Sequence, residues 1–582
     1  MIHRYAFRLL GLLAAFMMLA AFLQSCEETK EVIKTQEVIV HDTVLVEIIS
    51  VDSVFTEPDN ITQGATVALS VNVTVDPASS GTLTYRWFAD GGEFSASEGE
   101  TVDWKAPDDA GSYTITVHVS DGSYVGLAAR RVGVGMYAPT VTPYYLGEVS
   151  CSNCHANQHA EWSATGHADA WATLQESGHP ASFCEPCHAV GFVGDPGNGG
   201  YDEAPIAKFV NVQCENCHGA ASDHVGNGTP DPTKINVSWN VENCGQCHEG
   251  THHPYLSEWT NSPHANPPAR ATGSCNGCHE GVAASIRLSG ESAANPLGEF
   301  YDGGEVTERP DTSYAGFQPI VCSTCHDPHN VENPGQIRTV ADVPLVPANG
   351  EEPVVTIGGT GKLCMQCHHA RRGPDDQVIN GYSHFGPHSN PQTDIAAGKS
   401  GYQGVAAADF PWASPSHLNV ANSCKTCHLN MAEFDGTTAI TGHTFMPTVA
   451  ACAPCHGAIS DFSDILALDD FDGDGTIEGV QLEVAGLMEI LEEDIWNSMI
   501  ARGVDTTGLD LEHAIGDTSV SSFVERGAGF NLIYLIEDGS HGIHNPDYVV
   551  QLLQQSIQYL TGAPVPNAVI VREEENAVTA KW

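Results

Sequence analysis

Nine copies of the pentapeptide C-x-x-C-H carry most of the chemistry in this chain. The first five are Cys151, Cys154, His155; Cys184, Cys187, His188; Cys214, Cys217, His218; Cys244, Cys247, His248; and Cys275, Cys278, His279. The rest are Cys322, Cys325, His326; Cys364, Cys367, His368; Cys424, Cys427, His428; and Cys452, Cys455, His456. They use 18 of the 19 cysteines in 582 residues. Two thiols three positions apart suit thioether bonds to the two vinyl groups of a porphyrin. The imidazole directly after the second thiol then coordinates the iron from one face. Four-thiolate zinc sites and a disulfide framework both leave the invariant histidine unexplained, and nine pairs do not divide into four-thiolate sites. The sequence therefore calls for nine haem c groups.

An iron closed on both faces by imidazole needs a second histidine. Between Cys151 and His456 thirteen lie outside the motifs: His159, His167, His179, His224, His252, His253, His264, His329, His369, His384, His388, His417 and His443. Three of them end a repeat, W-x-x-x-x-H, at Trp162 to His167, Trp259 to His264 and Trp412 to His417. Each repeat precedes a C-x-x-C-H motif. An aromatic ring with an imidazole about one helical turn onward can serve one porphyrin layer.

The stretches CSNCHANQHAEWSATGHADA, VQCENCHGAASDH and CGQCHEGTHHPYLSEWTNSPHA resemble the multihaem cytochromes c that include the tetrahaem partner of hydroxylamine oxidoreductase and its octahaem relatives. CSTCHDPHN, CMQCHHARR with FGPHSNPQTD, and GHTF are similar to segments of surface multihaem cytochromes. The resemblance covers the haem region and tail. It implies distal ligands at His167, His224, His253, His264, His329, His388, His417 and His443, with His544 of SHGIHNPDYVVQLL as a ninth. His252 stands as the alternative to His253, and His541 to His544. Asn545 and Pro546 read as the N-cap and first residue of a helix that holds His544.

The elements that position these groups change character along the chain. Residues 1–26 have Arg4 and Arg8 before an apolar run and end in LQSC, the layout of an export signal with a lipoprotein box at Cys26. Residues 27–50 read as a stalk. Residues 51–137 alternate apolar and polar positions between Gly, Pro and Asp clusters, the pattern of an all-β sandwich. DAGSY before an alternating strand is similar to the tyrosine corner of immunoglobulin-like modules, and the segment resembles a PKD module, with Trp87 as its core indole. Residues 145–462 hold about one motif per 34 residues and few long apolar runs, so porphyrins must supply core that side chains otherwise fill. Residues 463–582 read as a helical tail. The expected class is multidomain: an N-terminal immunoglobulin-like β-sandwich, a mostly α and irregular nonahaem domain, then helices.

The tail opens on DDFDGDGTIEGVQLE, where Asp470, Asp472 and Asp474 fall at the first, third and fifth positions of a calcium loop. Gln481 stands at the twelfth position, and Glu478 and Glu483 are the acidic groups nearby.

The 23 basic and 73 acidic side chains give a net charge of −50. That charge excludes nucleic acid and anionic lipid surfaces as partners and suits a cationic redox partner. Two functions follow from these features. The first is an electron carrier lipid-anchored at the outer cell surface, passing electrons between respiratory partners, other cytochromes and an extracellular acceptor, as a single chain or as a homo-oligomer or filament. The second is a reductase or oxidoreductase of nitrite, hydroxylamine or similar small nitrogen or sulfur oxyanions, which needs one open haem. No C-x-x-C-K motif occurs, and the histidines suffice to close every iron.

Overall fold

The computed structural model describes residues 49–135 and 139–571, apart from 57–59, 76–80, 140, 178–180, 193–196, 204, 206, 227–228, 267–274, 291–300, 303–304, 307–317 and 432–438. The export signal, Cys26 and the stalk up to residue 48 lie outside the described residues. By contact the chain divides into two units, Met1–Met136 and Tyr137–Trp582.

In the first unit, alternation drives the strands. β1 (Ile49–Thr56), β3 (Thr66–Val75), β6 (Thr101–Lys105) and β5 (Glu93–Phe94) form one four-stranded sheet, in that order. β2 (Asn60–Ile61), β8 (Val125–Val134), β7 (Gly111–Ser120) and β4 (Thr84–Ala89) form the other. Val67, Leu69 and Val71 of β3 and Ile115, Val117 and Val119 of β7 point into one shared core, at the two-residue period of strands. Trp87 and Trp104 are buried there, and their indole N–H groups donate to Gly99 O (2.8 Å) and Gly91 O (3.0 Å). Tyr113 Oη donates to Asp109 O at 3.1 Å, so DAGSY closes on itself.

The second unit has two textures. From Cys151 to His456 the helices are mostly one or two turns long and the apolar clusters small. The exception in burial is α1 (Gly281–Leu288), capped by the Glu280 carboxylate accepting from Ala283 N at 2.8 Å. The tail is a conventional helical core. α2 (Val480–Ala501) presents Leu487, Leu491 and Ile495 inward at helical spacing. α3 (Leu511–Gly516), α4 (Phe523–Asp538) and α5 (Pro546–Thr561) complete it. The tail does not stand apart, because its core takes in Val378, Phe385, Ile395 and Ala413 from the motif-bearing region.

α4 is capped reciprocally: Ser522 N donates to the Glu525 carboxylate (2.7 Å) and Glu525 N to Ser522 Oγ (3.2 Å). α5 differs from expectation in one respect. Asn545 is its N-cap by position and Pro546 its first residue, but the Asn545 side chain makes no capping bond. Its φ of −162° and ψ of 83° set the entry of the chain, while the fixed φ of Pro546 starts the helix. No helix among the described residues is long and apolar enough to cross a membrane.

Candidate functional site

Each C-x-x-C-H motif winds into a helical turn. His155, His248, His326 and His368 donate their backbone N–H to the carbonyl of the first cysteine four residues back, at 2.9 to 3.0 Å. Positions i, i+3 and i+4 of one turn share a face, so two thiols and an imidazole point the same way.

Eight of the nine motif imidazoles stand opposite a second imidazole, ring centroids 6.1 to 6.4 Å apart. The pairs are His155 with His224, His218 with His329, His248 with His167 and His279 with His388. The others are His326 with His443, His368 with His264, His428 with His544 and His456 with His417. The ninth, His188, lies within electrostatic reach of His253, which is also 6.3 Å from His248. A tenth pair, His384 and His513, stands 6.2 Å apart and exposed, outside every motif.

The rings are oriented by their other nitrogen. Nδ1–H donates to a backbone carbonyl in His188 (Ala170, 2.8 Å), His218 (Asn236, 2.6 Å), His224 (Asp231, 2.8 Å), His326 (Gly335, 2.7 Å), His428 (Phe445, 2.9 Å) and His443 (Thr441, 3.0 Å). His417 does the same to Ile543 O. A carbonyl only accepts, so each Nδ1 carries the proton and each Nε2 presents a lone pair. His544 Nδ1 instead meets the buried Asp538 carboxylate at 2.6 Å. Burial alone lowers the His544 pKa, and Asp538 outweighs it, so the net value is raised. Burial pushes His248 and His264 down to about 4, reinforced by neighbouring histidines. These two are neutral at physiological pH, the form that binds metal.

Two W-x-x-x-x-H repeats share one clasp. Trp162 Nε1 donates to Val212 O (2.9 Å), and Val212 N donates back to His167 O (3.1 Å). Trp259 Nε1 donates to Ile320 O (2.8 Å), and Ile320 N returns to His264 O (3.2 Å). Val212 and Ile320 each sit two residues before a motif, so the clasp fixes the backbone of His167 or His264 to the entrance of a motif's turn. The third repeat departs: Trp412 packs on Tyr548, and His417 is oriented by Ile543.

Carboxylates that the spacing gave no reason to select hold the loops. Glu258 accepts from Thr441 N (2.9 Å) and His443 N (2.7 Å), fixing GHTF opposite His326. Glu215, inside the third motif, accepts from Leu146 N (3.0 Å), Gly147 N (2.7 Å) and Ala221 N (2.8 Å) beneath the first motif. Burial raises its pKa first, and those N–H groups work against the rise.

Motifs meet through their thiols. Sulfur atoms of different motifs lie side by side: Cys151 and Cys214, Cys187 and Cys247, Cys244 and Cys322, Cys278 and Cys367, and Cys364 and Cys424. Eight motif histidines line one continuous cavity of about 2560 Å³, together with all the opposed imidazoles except His224. The first motif is the one outside that lining. Paired thiols, a ligand-ready imidazole on each face and a large space between them form a donor set that fits c-type haem. When bound, such a group supplies one-electron iron chemistry; the chain's own residues orient its ligands and exclude water.

In the tail, Asp470, Asp472 and Glu483 bring one carboxylate oxygen each within 4.8 Å of one another. Asp474 lies outside that group and accepts from Thr476 N at 2.7 Å. Gln481 turns away to donate to Ser540 O (3.0 Å). Burial raises the Asp472 pKa, and the charges of Glu483, Asp474 and Asp470 add to it.

A family model described as "Cytochrome c554 and c-prime" matches residues 150–219. The C-type polyheme cytochrome OmcB of Geobacter sulfurreducens, from two strains, is 25% identical over 366 residues, covering 53% of this chain and 46% of that protein. Cytochrome c-554 of Nitrosomonas europaea is 32% identical over 99 residues, 14% of this chain and 41% of that protein. The chain thus spans less than half the length of the curated relatives it matches. A solved structure related to nucleoside hydrolases, from Saccharophagus degradans, aligns over 13% of this chain and 21% of its own at 26% identity, with a TM-score of 0.12. The cytochrome likenesses are to proteins named as c-type cytochromes, and the motif geometry fits the covalent attachment of several haem c groups.

Proposed function

We propose that this protein is an electron-transfer cytochrome carrying nine haem c groups, each iron held by two imidazoles. The motif histidines are the proximal ligands; His167, His224, His253, His264, His329, His388, His417, His443 and His544 are the distal ones. The observation that carries this reading is the set of opposed imidazoles at one common separation. An iron closed on both faces exchanges electrons without binding substrate, which favours conduction over catalysis. Thiol contacts between motifs argue for porphyrins close enough to pass electrons along the chain.

The test is low-temperature electron paramagnetic resonance of the oxidised protein, with haem counted as its pyridine complex. Nine low-spin irons are expected. One high-spin iron would instead favour the reductase of nitrite, hydroxylamine or a related oxyanion.

Three further parts belong to the same proposal. The leader ending in LQSC marks Cys26 for lipidation, and the lipid tethers the protein at the outer surface, where it meets other cytochromes or an extracellular acceptor. The β-sandwich is a PKD-like spacer in that arrangement. One calcium ion binds at Asp470, Asp472 and Glu483 and stiffens the start of α2; chelation is expected to lower the calorimetric melting temperature, and an unchanged melt counts against the ion.

A further inference from the structure

Two arginines cross between the fifth and seventh motifs. Arg287, on the buried helix α1, anchors its Nε on Gly277 O of the fifth motif (2.7 Å) and reaches Cys367 Sγ of the seventh with Nη2 (3.0 Å). Arg371 does the reverse. Its Nη2 donates to Cys367 O of the seventh motif (2.8 Å) and to Cys278 Sγ of the fifth (3.1 Å), while Nη1 holds His369 O (2.7 Å). Each guanidinium is thus fixed to one motif's backbone and aimed at the other's thiol.

Among the described residues neither arginine makes an ion pair, whereas Arg338 pairs with Asp327 and Arg502 with Glu525. Of the nearby carboxylates, Glu280 accepts from Ala283 N and Gln318 N, and Asp394 accepts from Ala370 N. In a chain of net charge −50 with only 23 basic side chains, two cations set against attachment thiols concentrate positive charge at one place, with Asp394 the carboxylate within electrostatic reach of Arg371. Reduction of an iron held there takes one electron from the adjoining iron, which is oxidised by one, and breaks no bond. It adds one negative charge, and a fixed cation close by stabilises the state that carries it.

We propose that Arg287 and Arg371 raise the reduction potentials of the haems attached through Cys275/Cys278 and Cys364/Cys367, making that pair the preferred resting place for electrons in the molecule. This rests on the haem reading above. Because each guanidinium touches both motifs, each one tunes both haems.

The experiment is spectroelectrochemical titration of the fully haem-loaded protein and its Arg287→Gln and Arg371→Gln variants, after a pyridine haem count. In each single variant the same two of nine one-electron components are expected to move to lower potential, and further in the double variant. Arg287→Lys and Arg371→Lys keep the charge and are expected to hold those components in place. If a Gln variant fails to mature, Arg→Met fills the volume without charge and takes its place. Variants with nine haems and an unshifted titration overturn the proposal, as do Lys variants that fall as far as the neutral ones, which would mark a packing role. A wild-type count other than nine fails the haem reading itself and is distinguishable from both.

Discussion

At the residue scale, the proton on each Nδ1 decides what the histidines can do. Eight of the motif and opposed imidazoles donate Nδ1–H to a backbone carbonyl, whereas His544 Nδ1 meets a buried carboxylate, Asp538. A carboxylate behind a ligand makes it more basic, and losing such a partner typically costs about 10–100-fold in ligand binding. Asp538→Asn is therefore expected to loosen one imidazole out of nine, read as a high-spin fraction in one resonance component while the others keep their line shapes. The motif residues were legible because thioether chemistry dictates their spacing. Glu258 was not legible: it stands 183 residues from Thr441, and nothing near either position signals the contact.

At the element scale, short turns are held by side-chain bonds rather than by length. Trp162→Phe and Trp259→Phe each keep an aromatic ring and remove one hydrogen bond, at about 0.5–1.5 kcal/mol. Each loss should show as a lower melting temperature with the haem count unchanged. In the tail, Leu487→Ala opens a cavity in the face of α2 and is expected to cost about 2–5 kcal/mol in denaturant unfolding. The turn at residues 392–396 carries a pH signature. Asp394 accepts Ala370 N–H at 2.7 Å, and burial raises its pKa from 3.8 to about 6, against the hydrogen bonds that favour its charge. The folded chain then holds a proton that the unfolded chain has released, so stability is greatest below pH 3.8 and falls as pH rises to about 6. The change is about 3 kcal/mol. Melting followed from pH 4 to 6 should show this slope, and Asp394→Asn should flatten it.

At the scale of the whole molecule, the two contact units and the charge set the behaviour. Deletion of residues 49–135 is expected to leave the haem count and titration curve unchanged, since the sandwich closes its own core. With a net charge of −50, reduction by a small cationic donor should slow as salt screens the attraction, and reduction by an anionic donor should quicken.

By itself the sequence determined the attachment chemistry, the alternating strands, the apolar stripe of α2 and the acidic loop before it. These are local patterns, written within one turn, one strand pair or one helix. It also supplied an excess of histidines without choosing among them. Only the tertiary structure decided that His264 faces His368, that His167 faces His248, and that Glu483 joins Asp470 and Asp472 while Asp474 stands aside. It alone brought Arg287 and Arg371 across two motifs separated by more than eighty residues. A partner on the opposite face of a porphyrin need only be close in space, so nothing in the spacing along the chain constrains where it lies.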